Sequence, residues 1–219
     1  MTIAAELRLR QARIRYHLAA QGALDLVQVH RNLNDGPGRR RGPALTLNRS
    51  AIVLAVAAWQ AYVEDVALAI VVGLAPQSGT RLAATYRLVK SHVEARVKLL
   101  STPNSGKTKE LLALVSFDPT SAWGVSFEWE RQRSARHGSM RTSITLTPAA
   151  AIVELDRWMK LRHAIAHGNP LDARGAYAYL LTGLAQGRPV VNRRDADRCA
   201  AFLAALVEAT TEEAIRAFA

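Results

Sequence analysis

Thr147-Pro148-Ala149-Ala150-Ala151-Ile152-Val153-Glu154-Leu155-Asp156-Arg157-Trp158-Met159-Lys160-Leu161-Arg162-His163-Ala164-Ile165-Ala166-His167-Gly168 reads as a single helix with both ends marked. Thr147 is a side-chain cap, and Pro148 suits the first turn, where its missing N–H is not needed. Gly168 fits the left-handed position that closes a helix, and Pro170 prevents continuation. At about 100° per residue, Ile152, Leu155, Trp158, Met159, Ile165 and Ala166 share one apolar stripe, with Asp156, Arg157 and Lys160 largely opposite. A helix of this kind buries its stripe against neighbouring elements, and together with the further helices read below the expectation is an all-α bundle.

The last turn departs from that pattern. Arg162 falls inside the stripe, His163 lies at its edge, and His167 lies beside Lys160. A guanidinium keeps its charge, and burying it unpaired costs several kcal/mol, so Arg162 needs an acidic partner, a polar cleft or a subunit interface. The structural explanation is an ion pair with Glu64 or Asp65, the histidines merely compensating the helix dipole. The functional one is a cation and two titratable imidazoles aimed at one region. A metal between His163 and His167 fits the spacing, but Ala164 stands where zinc-protease chemistry wants Glu. No metal and no cofactor is expected.

With 219 residues, 49% of them hydrophobic, the chain has enough material for one domain, or one domain with an extension. The single cysteine, Cys199, excludes an internal disulfide and fits a reducing, cytoplasmic setting. The N-terminus, with Glu6, Arg8, Arg10, Arg13 and Arg15, lacks the apolar core of a secretory signal. Residues 51–75 are apolar and long enough to cross a bilayer. Glu64 and Asp65 sit at their midpoint, where a carboxylate is most costly, so a buried central helix is expected and no membrane partner.

The net charge of +11 is unevenly spread. Residues 1–41 hold eight arginines against three carboxylates, and residues 81–110 hold seven cationic side chains against two. Such clustering favours a polyanionic partner, although a merely soluble basic surface has the same composition.

Helical spacing predicts elements over 3–32, 48–73, 79–101, 104–116 and 194–218. Asp35-Gly36-Pro37-Gly38-Arg39-Arg40-Arg41-Gly42-Pro43 reads as a basic linker. The expected division is an amphipathic helix and linker over 1–43 and a helical domain over 44–219. Residues 117–146 read as irregular, with Trp123, Phe127 and Trp129 packing on the bundle. The segments Tyr177–Leu181 and Pro189–Asn192 flank Gln186-Gly187 as a small hairpin or a broken helix. Ser105-Gly106-Lys107-Thr108 ends like a phosphate-binding loop, but Ser101 replaces the first glycine and no strand precedes it.

An all-helical basic domain that ends a long helix in Arg162-His163 and, after four intervening residues from the arginine, His167 resembles the HEPN superfamily. Asn48-Arg49-Ser50 leading into Trp59-Gln60-Ala61-Tyr62-Val63-Glu64-Asp65, and Thr102-Pro103-Asn104 leading into a short helix, resemble its RiboL-PSP-HEPN group over roughly 47–168. Gly168-Asn169 stand where some HEPN toxins carry a tyrosine, so no role is taken from that residue. The resemblance implies a bundle that dimerises with its motif helices face to face and cleaves RNA without metal in the cleft between them. It also implies use as a toxin or anti-phage effector, with an antitoxin or regulatory protein as a further partner.

The residues suit that chemistry. RNA carries its own nucleophile, so a site needs a proton relay and a cation for the charge growing on the phosphorus oxygens. His167 is the candidate general base or acid, and Arg162 the candidate phosphate holder, with paired N–H donors. His163 is a second proton carrier or a positioning residue. Glu64 is expected to orient Arg162 or a histidine, with Asp65 its rival. Arg39, Arg40, Arg41, Arg49 and Lys160 are the candidate RNA contacts. Arg162 and His167 are about 140° apart on an ideal helix, so the last turn must loosen or a second protomer must complete the site. A non-catalytic RNA- or nucleotide-binding domain and a helical interaction module held by an Arg162–Glu64 pair are the competing functions.

Overall fold

The apolar helix expected in the middle of the N-terminal half is the axis about which the other helices pack. A computed structural model of the chain describes residues 3–34, 41–76, 82–132, 139–172, 174–185 and 188–218. Its elements are α1 (Ile3–Asn34), α2 (Arg41–Gly73), α3 (Leu82–Leu99), α4 (Ser105–Ala113), β1 (Val125–Gln132), β2 (Ser139–Leu146), α5 (Pro148–Ala166), β3 (Gly183–Ala185), β4 (Arg188–Val190) and α6 (Arg193–Phe218). Helix dominates, as expected, and two antiparallel hairpins are added to it.

The centre of α2 buries Ile52, Ala55, Trp59, Tyr62, Val66 and Ile70, so a segment apolar enough to cross a membrane is here a core helix. Its large polar-tipped side chains are satisfied, as burial requires. Tyr62 Oη donates to Val207 O at 3.0 Å, and Trp59 Nε1 donates to Pro103 O at 3.1 Å. Glu64 and Asp65 sit half-buried at its side, and Asp65 pairs with Arg15 of α1 at 3.2 Å.

Helix α1 was expected as an arm. It lies along α2 and α6 and contributes Leu9, Ala12, Tyr16, Ala20, Ala23 and Val27 to the common core, at the three- and four-residue spacing of one helical face. The expected boundary at 43 falls inside α2, which starts at Arg41 rather than near 48. Pro43 does not prevent this, because an amide in the first turn has no intrahelical acceptor to lose.

Residues 117–146 are not irregular throughout. β1 and β2 pair with Phe127 opposite Ile144 and Trp129 opposite Thr142. The period-two alternation of Val125, Phe127 and Trp129 with Ser126, Glu128 and Glu130 is the strand signal. Its apolar face packs on α6, where Phe127 meets Phe202 at 5.6 Å between ring centroids.

The second hairpin settles the other open segment. β3 pairs with β4 through Leu184 and Pro189, while Ala178–Leu180 form a 3₁₀ turn. Gln186-Gly187 lie outside the described residues. Asn192 then caps α6, accepting from Arg194 N and Asp195 N, and Asp195 answers by accepting from Asn192 N at 2.9 Å. This is a capping box with Asp in the return position.

Candidate functional site

Helix α5 is built as its sequence signals. Thr147 Oγ1 accepts from Ala150 N, and Pro148 occupies the first turn. At the other end Gly168 takes φ 66°, Asn169 N reaches Ala164 O at 2.9 Å and Gly168 N reaches Ile165 O at 3.1 Å. These two bonds form the Schellman closure. Of the expected stripe Leu155, Trp158 and Met159 are buried, Ile152 and Ile165 only partly, and Ala166 is exposed; Ala151, Glu154, Leu161 and Ala164 are buried beside them, so the buried face is turned partway from the expected one.

Rotation of that face leaves Arg162 half-buried at its border and His163, His167 and Lys160 exposed. All four line one open cavity of about 1050 Å³, together with Thr102, Lys107 and Tyr177. His167 is the cap residue of α5, with φ −91° and ψ 5°, so it has already left the helical course. The loosened end brings Arg162 and His167 to the same cavity within one chain. The rings of His163 and His167 are 4.2 Å apart between centroids.

Neither expected carboxylate reaches Arg162. Glu64 accepts from Gln60 at 3.1 Å, Asp65 pairs with Arg15, and neither lines the cavity. The reason is tertiary: α2 presents them beside α1 and the end of α3, while the loop after α3 approaches α5. The group that meets the guanidinium is the Thr102 hydroxyl, with Arg162 Nη1 donating at 3.3 Å. Arg162 Nε is buried without a hydrogen-bond partner. Among the described residues no carboxylate pairs with this arginine, and no three His, Cys, Asp or Glu side chains group as metal ligands.

The acidic residue that α5 does bury is Glu154. Its Oε1 accepts from Arg198 Nη2 at 2.7 Å and from Trp158 Nε1 at 3.2 Å, and Tyr179 Oη bonds its Oε2. This network joins α5 to α6 away from the cavity. Sequence reasoning missed it because both ends of the pair are set by packing between elements.

The cationic candidates fall in different places. Lys160 faces the cavity, whereas Arg49 is exposed on α2 outside its lining. Arg39 and Arg40 lie outside the described residues, and of Arg41 only the backbone is described, as the start of α2. On α1, Arg13 and Arg15 are met by Glu208 and Asp65 of other helices, whereas the Arg10–Glu6 and Lys90–Glu94 pairs lie within one helix and leave its excess charge unchanged. Lys107 is different, because its ammonium donates to Ser101 O at 2.8 Å on the cavity wall.

Lys107 belongs to the segment that resembled a phosphate loop. Ser105 opens α4 after the cap Asn104, and its N–H is taken by Asp156 Oδ1 at 2.8 Å. Helix α3 rather than a strand leads into it, so the strand–loop–helix geometry of a nucleotide loop is not formed there. The Thr102-Pro103-Asn104 turn was legible as a signal, but its meeting with Arg162 was not.

A family model described as RiboL-PSP-HEPN matches residues 23–215. No curated protein and no solved structure gives a significant match.

Proposed function

Since the chain belongs to the RiboL-PSP-HEPN family, we propose that it is an endoribonuclease that cleaves RNA without metal by attack of the substrate's own 2′-OH. The observation that carries this reading is the under-satisfied Arg162 guanidinium, open to a cavity that also holds two touching imidazoles. A planar donor fork without a carboxylate suits a phosphodiester. His167 takes the 2′-OH proton as the 2′-oxygen bonds to phosphorus. Arg162 stabilises the negative charge on the equatorial oxygens. The bond to the 5′-oxygen breaks, and His163 serves as the second proton carrier for that leaving group. Lys160 and Lys107 steer the strand. Glu64 has no part in this reading, because it lies away from the cavity.

A homodimer belongs to the same proposal. Val153, Lys160, His163 and His167 give α5 an outward face that a second copy would meet, although one chain already brings Arg162 and His167 to one cavity. Use as a toxin or anti-phage effector, checked by an antitoxin, rests on the family resemblance alone.

Total RNA incubated with purified protein in EDTA, beside His167→Ala, tests the chemistry. Products with 2′,3′-cyclic phosphate and 5′-OH ends are expected, and a 2′-deoxy residue at the cut should block the reaction. Activity lost in EDTA and restored by magnesium, or 5′-phosphate products, would overturn it. RNA binding without cleavage would leave the non-catalytic function instead.

A further inference from the structure

Two described residues other than glycine adopt a positive φ, Ser116 at 57° and Thr102 at 52°. Ser116 has a local reason. It closes the turn after α4, where Ser116 N bonds Ala113 O and Phe117 N reaches back to Leu112 O. Thr102 closes no such turn, and its branched side chain makes the left-handed region a true outlier. Strain of this kind persists only where the surroundings impose it.

The surroundings do impose it. Gln60 Nε2 holds Leu100 O at 2.9 Å, and Trp59 Nε1 and Thr108 Oγ1 both donate to Pro103 O, so the chain is fastened before and after Thr102. Asn104 N closes the turn on Thr102 O at 2.8 Å. The strained residue then presents its hydroxyl to Arg162, and no other described side chain or carbonyl hydrogen-bonds that guanidinium. A carboxylate there would grip Arg162 more firmly but neutralise the charge an incoming anion needs. A hydroxyl fixes direction and leaves the charge free.

We propose that Thr102 is a positioning residue that aims Arg162 into the cavity, which rests on the reading of Arg162 as the phosphate holder. Thr102→Val keeps the shape without the oxygen, and Thr102→Ser keeps the oxygen. The valine variant is expected to lower kcat/KM for RNA by roughly 10–100-fold, the scale of a misdirected catalytic group. The serine variant should restore most of it. Nitrogen relaxation at the Arg162 Nε–H should show the side chain ordered in the native and serine proteins and mobile in the valine protein. Should valine not fold, Thr102→Ala replaces it in the same comparison. An Arg162 as ordered without the hydroxyl as with it overturns the proposal. A native protein that cleaves no RNA overturns the ribonuclease reading instead, while the Arg162 signal still decides the role of Thr102.

Discussion

The imidazole rings of His163 and His167 are in contact, their centroids 4.2 Å apart and their planes inclined by 49°. His167→Ala should remove proton transfer, commonly worth ~10²–10⁴-fold in rate. His163→Ala should cost less, and the double variant no more than His167→Ala alone, because groups acting as a unit are not additive. Single-turnover cleavage of one RNA oligonucleotide by the three variants measures this. Multiplying losses would mean that the two proton transfers contribute independently rather than as one coupled step.

Arg162→Lys keeps the charge but loses the planar fork and the reach to Thr102. It should lose at least about tenfold in kcat/KM, close to Arg162→Ala, which is the scale of a lost charge-assisted hydrogen bond. Steady-state kinetics beside circular dichroism of each variant checks it. A lysine enzyme with native turnover would show that only charge matters there.

Lys107 and Lys160 flank the cavity from α4 and α5. If both contact phosphates, each change to Gln should lower the salt slope of single-stranded RNA binding by about 0.7. The same change at Arg49, which lies off the cavity, should leave a smaller effect on cleavage. Binding titrations across a salt series distinguish the positions.

Glu154 and Arg198 form a buried pair, with 1% and 9% of their side chains exposed. Glu154→Ala strands the guanidinium and should destabilise the fold by about 3–5 kcal/mol. Urea denaturation gives the number. A loss under about 1 kcal/mol would mean that Arg198 finds water or another acceptor.

Burial pushes the Asp195 carboxyl from 3.8 up to about 6, against the donors from Asn192 and Thr182. The folded chain therefore binds this proton more tightly than the unfolded one. Its contribution to stability is complete below 3.8 and is lost as pH rises through about 6. The stability of the native protein relative to Asp195→Asn should fall as pH rises over that window, by on the order of 1–3 kcal/mol. Urea melts of both proteins at pH steps across it are the measurement, and a constant difference would place the carboxyl at its ordinary value.

What the sequence reveals here follows the range of the interactions. The limits of α5 are legible because Thr147, Pro148 and Gly168 act within a few residues of themselves. The grouping of Arg162, His163 and His167 at one cavity is legible for a related reason, since charged groups on an apolar stripe need an explanation. Their companions are not. Thr102 lies 60 residues from Arg162 along the chain, and its value depends on a turn fastened by Trp59 and Gln60 of another helix. Glu64 misled for the same reason, because a carboxylate in an apolar helix demands some partner but does not name it. The β1–β2 hairpin was written in the alternation of Val125, Phe127 and Trp129, a pattern overshadowed by the charged stretch that follows.

Cys199 lies fully buried on α6, and burial together with nearby Glu154 raises its thiol well above the ordinary range. As the chain's single sulfhydryl, it is a ready-made clock. A thiol reagent can label it only while α6 lifts from its neighbours, so the modification rate counts those openings. Urea, RNA or a second protomer acting on the α5–α6 seam would each change that rate, with no foreign probe attached to the protein.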